Sequence, residues 1–260
     1  MLNVGIVGMG VIGHRVAEAL TRGIPGTALV GVSVRNTATA GAYPVRPLPE
    51  LIERADLIVE AATQASLREF GPAVLAAGKH LMVLSVGALV GVLDEWARLA
   101  EKHACRILVP SGAIAGLDGV KGAREGAITA VTMETRKPPR GLAGAPYLVQ
   151  HGIEVSGITA PKRVFEGNAF DAAAGFPANV NVAAALALAG IGPARTRVEI
   201  WADPGIDRNT HTIRVEADSA RFTMTIENVP SEENPRTGQI TALSMLACLR
   251  GLVATLKVGT

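Results

Sequence analysis

The sequence has few aromatic residues and no block of lysines or arginines. Aromatic side chains make up 3% of the 260 residues, and the formal net charge is +2. This composition argues against a basic surface for nucleic acids or membranes, and it provides few rings for stacking on bases. With 48% hydrophobic and 18% charged residues, the chain is expected to fold into a globular protein.

Cysteines and long apolar runs are also scarce. Cys105 and Cys248 lie far apart and match no metal-binding spacing, which predicts reduced thiols in a cytoplasmic protein. No basic segment precedes the first apolar run, so no signal peptide is expected. Residues 172–194 carry no charge, but Gly175, Pro177 and Gly190 interrupt them. They predict a buried helix instead of a membrane span.

The first third of the chain alternates short apolar runs with helical patterns. Strands are predicted at 2–7, 28–34, 57–60, 80–85 and 106–109. Helices are predicted between them at 11–22, 49–54, 67–77 and 93–103. This alternation is typical of an α/β domain with a Rossmann-type parallel sheet.

Beyond residue 112 the strands follow one another more closely. They are predicted at 127–135, 163–166, 195–202, 211–216 and 220–227, with helices at 169–174 and 179–189 and a loop at 137–146. The pattern predicts a second, α+β domain on a mostly antiparallel sheet. We therefore expect a dinucleotide-binding domain at 1–112 that is completed by a C-terminal helix at 237–260. Residues 113–236 would form the catalytic and oligomerisation domain.

A glycine motif opens the chain. In "VGIVGMGVIG", Gly8, Gly10 and Gly13 follow an apolar strand and begin a helix. Gly8 permits a tight turn, Gly10 lets a pyrophosphate approach the backbone, and Gly13 lets the helix pack on the strand. Together with Val11 and Ile12, these residues predict the phosphate site of a dinucleotide at a helix N-terminus.

Acidic residues are absent between Glu18 and Glu50. A domain that prefers NAD usually carries an acid at the end of its second strand, where it binds the ribose hydroxyls. Here Arg35 and Asn36 stand at that place, and an arginine can hold a 2′-phosphate. We therefore predict NADP as the preferred cofactor and NAD as the second choice, although a solvated loop role for Arg35 stays open.

Small residues follow the later strands of the first domain. Ala61 and Ala62 come after the third strand, and Ser85 comes after the fourth. Small side chains at the carboxyl end of a strand let a cofactor pass close to the backbone. These residues are predicted to line the cofactor crevice, although each also fits an ordinary βα loop.

One histidine lies where a turn becomes a strand in the second domain. His211 follows "DPGIDRN" and shares the face of Ile213 and Val215. A buried structural histidine and a catalytic one at a strand mouth both fit this pattern. No pair of histidines has the spacing of a zinc motif, so no metal is expected.

Taken together, the motifs resemble the L-aspartate dehydrogenase family. The resemblance runs through "VGIVGMGVIG", "EAATQASLREF", "LSVGAL", "PSGAIAGLDGV", "FPANVNVAAAL", "DPGIDRNTHTI" and "ENVPSEENPRTG". These stretches span nearly the whole chain in order. Asn168-Ala169-Phe170 departs from the Ser-Ala-Arg that relatives often carry, so a carboxylate-binding cation is either missing there or supplied elsewhere.

The resemblance implies oxidative deamination of L-aspartate to iminosuccinate, which yields oxaloacetate and ammonia and can feed NAD biosynthesis. It implies that His211 is the acid/base residue and that Ala115 and Asn181 contact the cofactor. A histidine with an unperturbed pKa near neutrality suits removal of a proton from the amine. We expect a homodimer or larger homo-oligomer, and no nucleic-acid or membrane partner.

The substrate carboxylates require further partners. Asn179, Asn181, Arg208 and His211 are the predicted substrate-binding residues, and Lys162 and Arg163 are further candidate cations. Capping of a helix by Asn179 and a surface role for Arg208 remain open.

Three other functions remain possible. Dihydrodipicolinate reductases and homoserine dehydrogenases have the same two-domain build. However, the sequence lacks the histidine-rich helix of the former and an evident Lys–Asp pair of the latter. A non-catalytic NADP-sensing protein would keep the glycine motif and need no base.

Overall fold

The computed structural model describes residues 1–177, 180–231 and 238–259. The chain divides into two compact units. The first comprises Met1–Pro110 with Ala242–Lys257, and the second comprises Ser111–Thr241 with Val258–Thr260. The chain therefore enters the first unit twice.

The first unit is built on a five-stranded parallel sheet, as predicted. Its strands are β1 (Leu2–Val7), β2 (Thr27–Ser33), β3 (Leu57–Glu60), β4 (His80–Val83) and β5 (Ile107–Leu108). Its first four helices are α1 (Val11–Gly23), α2 (Leu48–Arg54), α3 (Gln64–Ala76) and α4 (Leu93–Lys102). The strand order is β2-β1-β3-β4-β5. Strand β2 is added on one side of β1, whereas β3, β4 and β5 are added on the other side, so the order reverses between β1 and β3. Ligands of such sheets bind at that point, outside the carboxyl ends of the strands.

The last helix of the chain, α9 (Gln239–Val253), supplies part of the core of the first unit. Met245 and Leu249 are fully buried and belong to one hydrophobic cluster with Val4 and Val16. Ile240 and Leu243 of the same helix are exposed, as is Leu256 beyond its end. Apolar residues occur all around this helix, so packing and not periodicity decides which face is buried.

A second five-stranded sheet forms the other unit. Its strands are β6 (Ile128–Lys137), β7 (Lys162–Asn168), β8 (Thr196–Ala202), β9 (Thr210–Ala217) and β10 (Arg221–Glu227), in the order β10-β9-β6-β8-β7. Only β6 and β8 pair in parallel, which confirms the mostly antiparallel prediction. Its helices are α5 (Leu117–Arg124), α6 (Pro146–Gln150), α7 (Ala169–Gly175) and α8 (Asn181–Ala189).

Two elements of this unit differ from the prediction. Helices α5 and α6 were not expected, because their sequences contain glycine or are only five residues long. Strand β6 extends through Lys137, which the sequence placed in a loop. The alternation of buried and half-buried residues continues for two more positions, up to Pro138.

The apolar stretch between Asp171 and Arg195 contains the last part of α7 and the whole of α8. Residues Ala183 to Ala187 of α8 are buried. Within the described parts of the chain, no helix is long and apolar enough to cross a membrane.

Candidate functional site

The glycine motif forms a backbone cradle at the start of α1. Gly8 adopts a φ of 94°, and a Cβ there would lie 2.5 Å from the carbonyl oxygen of Ala61. A Cβ on Gly13 would collide with the carbonyl oxygen of Gly8, whereas the space above Gly10 is open. No side chain caps α1 and its first turn has no acid. The free N–H groups at Val11, Ile12 and Gly13 therefore suit a phosphate.

Arg35 lies just past the end of β2. Its side chain is exposed and has no hydrogen bond or ion pair with any described residue. The neighbouring Asn36 caps a short 3₁₀ turn by accepting from the backbone N–H of Ala38 at 3.1 Å. The ring Nε2 of His14, on α1, donates to the Thr39 carbonyl oxygen at 2.9 Å and ties this turn to the glycine loop.

Glu60 also belongs to this edge of the parallel sheet, although it was not among the predicted site residues. Its side chain is fully buried at the end of β3. It accepts from the backbone N–H groups of Ala62 (2.8 Å), Leu84 (3.0 Å) and Ser85 (2.7 Å), and from the Ser85 hydroxyl (2.9 Å). Burial raises the pKa of this carboxyl, while the four donors oppose the shift.

These bonds join the loop after β3 to the loop after β4. Two residues predicted to line the cofactor crevice, Ala62 and Ser85, are thereby held by one side chain. A buried acid at the end of an otherwise apolar strand, Leu57–Glu60, was the signal that could have indicated this role.

His211 occupies the inner face of the second unit's sheet. It is 3% exposed and lies opposite Thr135 in the β6–β9 register. Its Nδ1 and the Thr135 hydroxyl are 3.0 Å apart, and this is the only hydrogen bond of the ring among the described residues. The bond fixes the orientation of the ring and leaves Nε2 available for another partner.

The pKa of His211 departs from the ordinary value of a histidine. Burial and, to a lesser degree, the nearby charge of Lys137 lower its pKa from 6.5 to about 3. The imidazole is therefore neutral at any physiological pH in the absence of a ligand. A neutral ring can accept a proton, and a ligand that compensated the lysine charge would make it a stronger base.

Two more polar side chains lie on the same face and were missed. Lys137 is 6% exposed and Asn228 is 4% exposed. Burial lowers the pKa of Lys137 to about 8. The Asn228 amide donates from Nδ2 to the Ala113 carbonyl oxygen at 3.1 Å, while its Oδ1 is buried and has no partner among the described residues.

The other predicted substrate residues lie elsewhere or remain undescribed. Arg208 is partly exposed and its guanidinium pairs with the adjacent Asp207 at 2.8 Å. Asn181 begins α8, and Ala115 is exposed in the loop before α5. Asn179 falls outside the described residues.

The two candidate cations of β7 lie on opposite faces of the sheet, and Lys162 shares the face of Lys137 because both residues are paired with Ala202. Arg163 is paired with Glu166 at 2.7 Å and lies over the Trp201 ring, on the outer face of the sheet. Lys162 is exposed and donates to the Glu154 carbonyl oxygen at 3.2 Å. In the described parts of the chain no group of three His, Cys, Asp or Glu side chains is arranged to hold a metal ion.

Comparison with known families decides the assignment. Residues 118–252 match the model "Aspartate dehydrogenase, C-terminal", and residues 8–110 match "Homoserine dehydrogenase, NAD binding domain". The chain belongs to the L-aspartate dehydrogenase family. It is thus an oxidoreductase with an N-terminal nicotinamide-dinucleotide-binding unit.

Curated members of this family match along the whole chain. An L-aspartate dehydrogenase of Bradyrhizobium diazoefficiens is 49% identical over 100% of this chain and 94% of its own length. L-aspartate dehydrogenase 3 of Bordetella bronchiseptica is 48% identical over 100% and 98% of the two chains. For the enzyme of Methanosarcina mazei the identity is 42%, with both chains covered completely.

Solved structures show the same fold. The aspartate dehydrogenase of Thermotoga maritima superposes with a TM-score of 0.81 at 24% identity and covers 100% of both chains. A hyperthermophilic archaeal homoserine dehydrogenase in complex with NADPH has a TM-score of 0.61 at 14% identity, with coverage of 100% and 99%.

Proposed function

We propose that this chain catalyses the oxidative deamination of L-aspartate. The substrate, oxidised nicotinamide and water give oxaloacetate, ammonium, reduced nicotinamide and a proton, with iminosuccinate as the intermediate. The full-length identity of 49% to a curated L-aspartate dehydrogenase carries this proposal. The buried histidine on the inner face of the second sheet supports it.

His211 acts as the acid/base residue. An ammonium group cannot release hydride from its Cα, so the amine must first lose a proton. When bound, the oxidised nicotinamide accepts the hydride from Cα. The neutral Nε2 of His211 takes the amine proton, since Nδ1 is engaged with Thr135. The same ring then assists the water that attacks the imine.

The cofactor is held by the N-terminal unit. Its open glycine cradle and uncapped helix start fit a dinucleotide pyrophosphate. The residues of this unit that we assign to cofactor binding are Gly8, Gly10, Val11, Ile12, Gly13, Arg35, Asn36, Ala61, Ala62 and Ser85. From the family resemblance we add Ala115 and Asn181, which belong to the second unit. We further propose that NADP is preferred over NAD, because exposed Arg35 has no partner among the described residues and no acid occupies the end of β2.

Other aspects of the function stay predictions. They are a homo-oligomeric state, a cytoplasmic location, and substrate contacts by Asn179, Asn181 and Arg208. The Asp207 ion pair gives Arg208 a surface role that competes with substrate binding.

Turnover of L-aspartate by His211→Ala tests the central assignment. Reduced nicotinamide is followed by absorbance with NADP⁺ or NAD⁺ and L-aspartate. We expect kcat to fall by about 10²–10⁴-fold, the usual contribution of a general acid/base. His151→Ala is the matched control, because His151 is an exposed histidine of the same unit, and it should leave kcat unchanged.

Near-normal turnover by His211→Ala would refute the catalytic role. A wild-type protein that binds NADP but oxidises no amino acid would instead favour the NADP-sensing alternative.

A further inference from the structure

Three buried polar side chains, those of His211, Lys137 and Asn228, lie at one end of the inner face of the second sheet. Thr135 lies opposite His211, and Arg136 lies opposite Thr210. Lys137 is therefore the diagonal neighbour of His211 on the same face, where such neighbours are about 7–8 Å apart.

On the other side of β9, Ile226 lies opposite His211, and the N–H of Asn228 donates to the Asn209 carbonyl oxygen at 2.9 Å. Lys137 and Asn228 thus flank β9 from its two neighbouring strands.

Lys137 carries a charge where charges are costly. Its side chain is 6% exposed, and a charge in such a poorly hydrated place attracts an opposite charge more strongly than it would in water. Its pKa of about 8 still leaves most of the side chain protonated near neutral pH. Its effect on the pKa of His211 shows that the charge is felt at that ring.

Asn228 presents an acceptor with a defined direction. Because the Ala113 carbonyl can only accept, Nδ2 must be the atom that faces it at 3.1 Å. The opposite atom, Oδ1, is therefore the buried oxygen that lacks a partner among the described residues. A buried acceptor without a donor is costly, and an N–H group from a ligand would satisfy it.

We propose that Lys137 and Asn228 form the amino-acid subsite beside His211, in which the Lys137 ammonium pairs with a substrate carboxylate and Asn228 Oδ1 accepts an N–H of the substrate amine. This inference rests on the proposed function, because it takes an acidic amino acid as the substrate. A cation, an acceptor and a neutral ring nitrogen match the carboxylate and amine of such a molecule.

The arrangement also couples binding to catalysis. A carboxylate on Lys137 compensates the positive charge that acts on His211. This relieves the smaller of the two causes that lower the pKa of the imidazole, while desolvation, the larger cause, remains.

Binding of two ligands separates the roles of the two residues. L-aspartate and succinate, which lacks the amine, are titrated calorimetrically into the full-length protein saturated with NADPH, so that no oxidation occurs. We expect Lys137→Met to weaken both ligands by about 10–100-fold, the loss of a charge-assisted contact. Asn228→Leu should weaken L-aspartate by about 10-fold and succinate by less than about 2-fold.

The matched controls use the same protein. Lys121→Met removes an exposed lysine on α5 of the same unit and should leave both affinities unchanged. Lys137→Arg, which keeps the charge, should retain part of the binding. Binding of succinate with nearly unchanged affinity would show that the Asn228→Leu variant is folded. Retained NADPH binding and a cooperative unfolding transition serve this purpose for Lys137→Met.

The outcomes distinguish the subsite from the proposed reaction. Wild-type affinity of Lys137→Met for both ligands, or equal weakening of both ligands by Asn228→Leu, would overturn the subsite, as would a wild-type protein that binds neither. If the wild type oxidises L-aspartate while both variants keep its KM, the reaction stands and the subsite fails. Lys137-dependent binding of succinate without oxidation of L-aspartate would support the subsite and refute the reaction.

Discussion

At the scale of single residues, burial sets the protonation of His211. Its pKa is lowered from 6.5 to about 3, first by desolvation and then by the charge of Lys137. The unfolded chain, with an ordinary histidine pKa, binds more protons than the folded chain between these two values. The free energy of unfolding therefore decreases as pH falls through this window.

This shift predicts a measurable loss of stability in acid. Between about pH 7 and about pH 4, wild-type protein should lose about 2–3 kcal/mol more unfolding free energy than His211→Asn does, at about 1.4 kcal/mol per pH unit. Urea unfolding at both pH values checks this. His151→Asn, at an exposed position, should behave as wild type. Equal pH dependence of His211→Asn and wild type would show that the ring titrates normally in the folded protein.

Arg35 is expected to discriminate between the two cofactors. Arg35→Ala should lower kcat/KM for NADP⁺ by about 10–100-fold, because a charge-assisted contact to the 2′-phosphate is lost, and should change that for NAD⁺ by less than about 2-fold. Steady-state kinetics with each cofactor measure the two values. Arg98→Ala removes an exposed arginine on α4 of the same unit and is the control. A parallel loss with both cofactors would assign Arg35 a role other than discrimination.

At the scale of elements, Glu60 couples two loops at the carboxyl edge of the parallel sheet. One carboxylate accepts four hydrogen bonds from residues after β3 and β4. A buried acceptor that is shared by both loops restricts their positions relative to each other.

Glu60→Gln should disturb both stability and cofactor binding. The amide N–H₂ of glutamine would face donors, so we expect a loss of about 2–4 kcal/mol in unfolding free energy and a rise of about 10-fold in the KM for the cofactor. Chemical unfolding and kinetics measure these effects. Glu69→Gln, at an exposed position on α3, should change neither. A stable Glu60→Gln protein with normal KM would contradict the positioning role.

At the scale of the whole molecule, the C-terminal helix makes the first unit discontinuous in sequence. Leu249 is fully buried in the cluster that contains β1 and α1 residues, whereas Leu243 on the same helix is 54% exposed. The stability of the dinucleotide-binding unit thus depends on residues that follow the whole of the second unit.

Leu249→Ala should therefore destabilise the protein by about 2–5 kcal/mol, the usual effect of a buried leucine truncation. Leu243→Ala should change the unfolding free energy by less than about 0.5 kcal/mol. Thermal and urea unfolding of the full-length variants compare the two. Similar small effects of both substitutions would mean that α9 does not contribute to the core as its burial indicates.

The sequence by itself determined those features that depend on local patterns. Alternating strands and helices predicted the parallel sheet, and the glycines at positions 8, 10 and 13 predicted the cradle, because turn geometry and close approach restrict which residues fit. The period-two pattern around His211 likewise predicted its buried face, since successive side chains of a strand point to opposite sides. The resemblance to L-aspartate dehydrogenases added the family, which full-length comparison confirmed.

Only the tertiary structure decided which residues join His211. Lys137 and Asn228 lie 74 and 17 residues away from it in sequence, and the pairing of β9 with β6 and β10 brings them to one face. Neither Glu60 nor the buried side of α9 could be assigned from spacing, because hydrogen-bond donors and core partners come from distant segments. Strand register and burial are properties of the assembled chain, and they set both the contacts and the pKa values of this site.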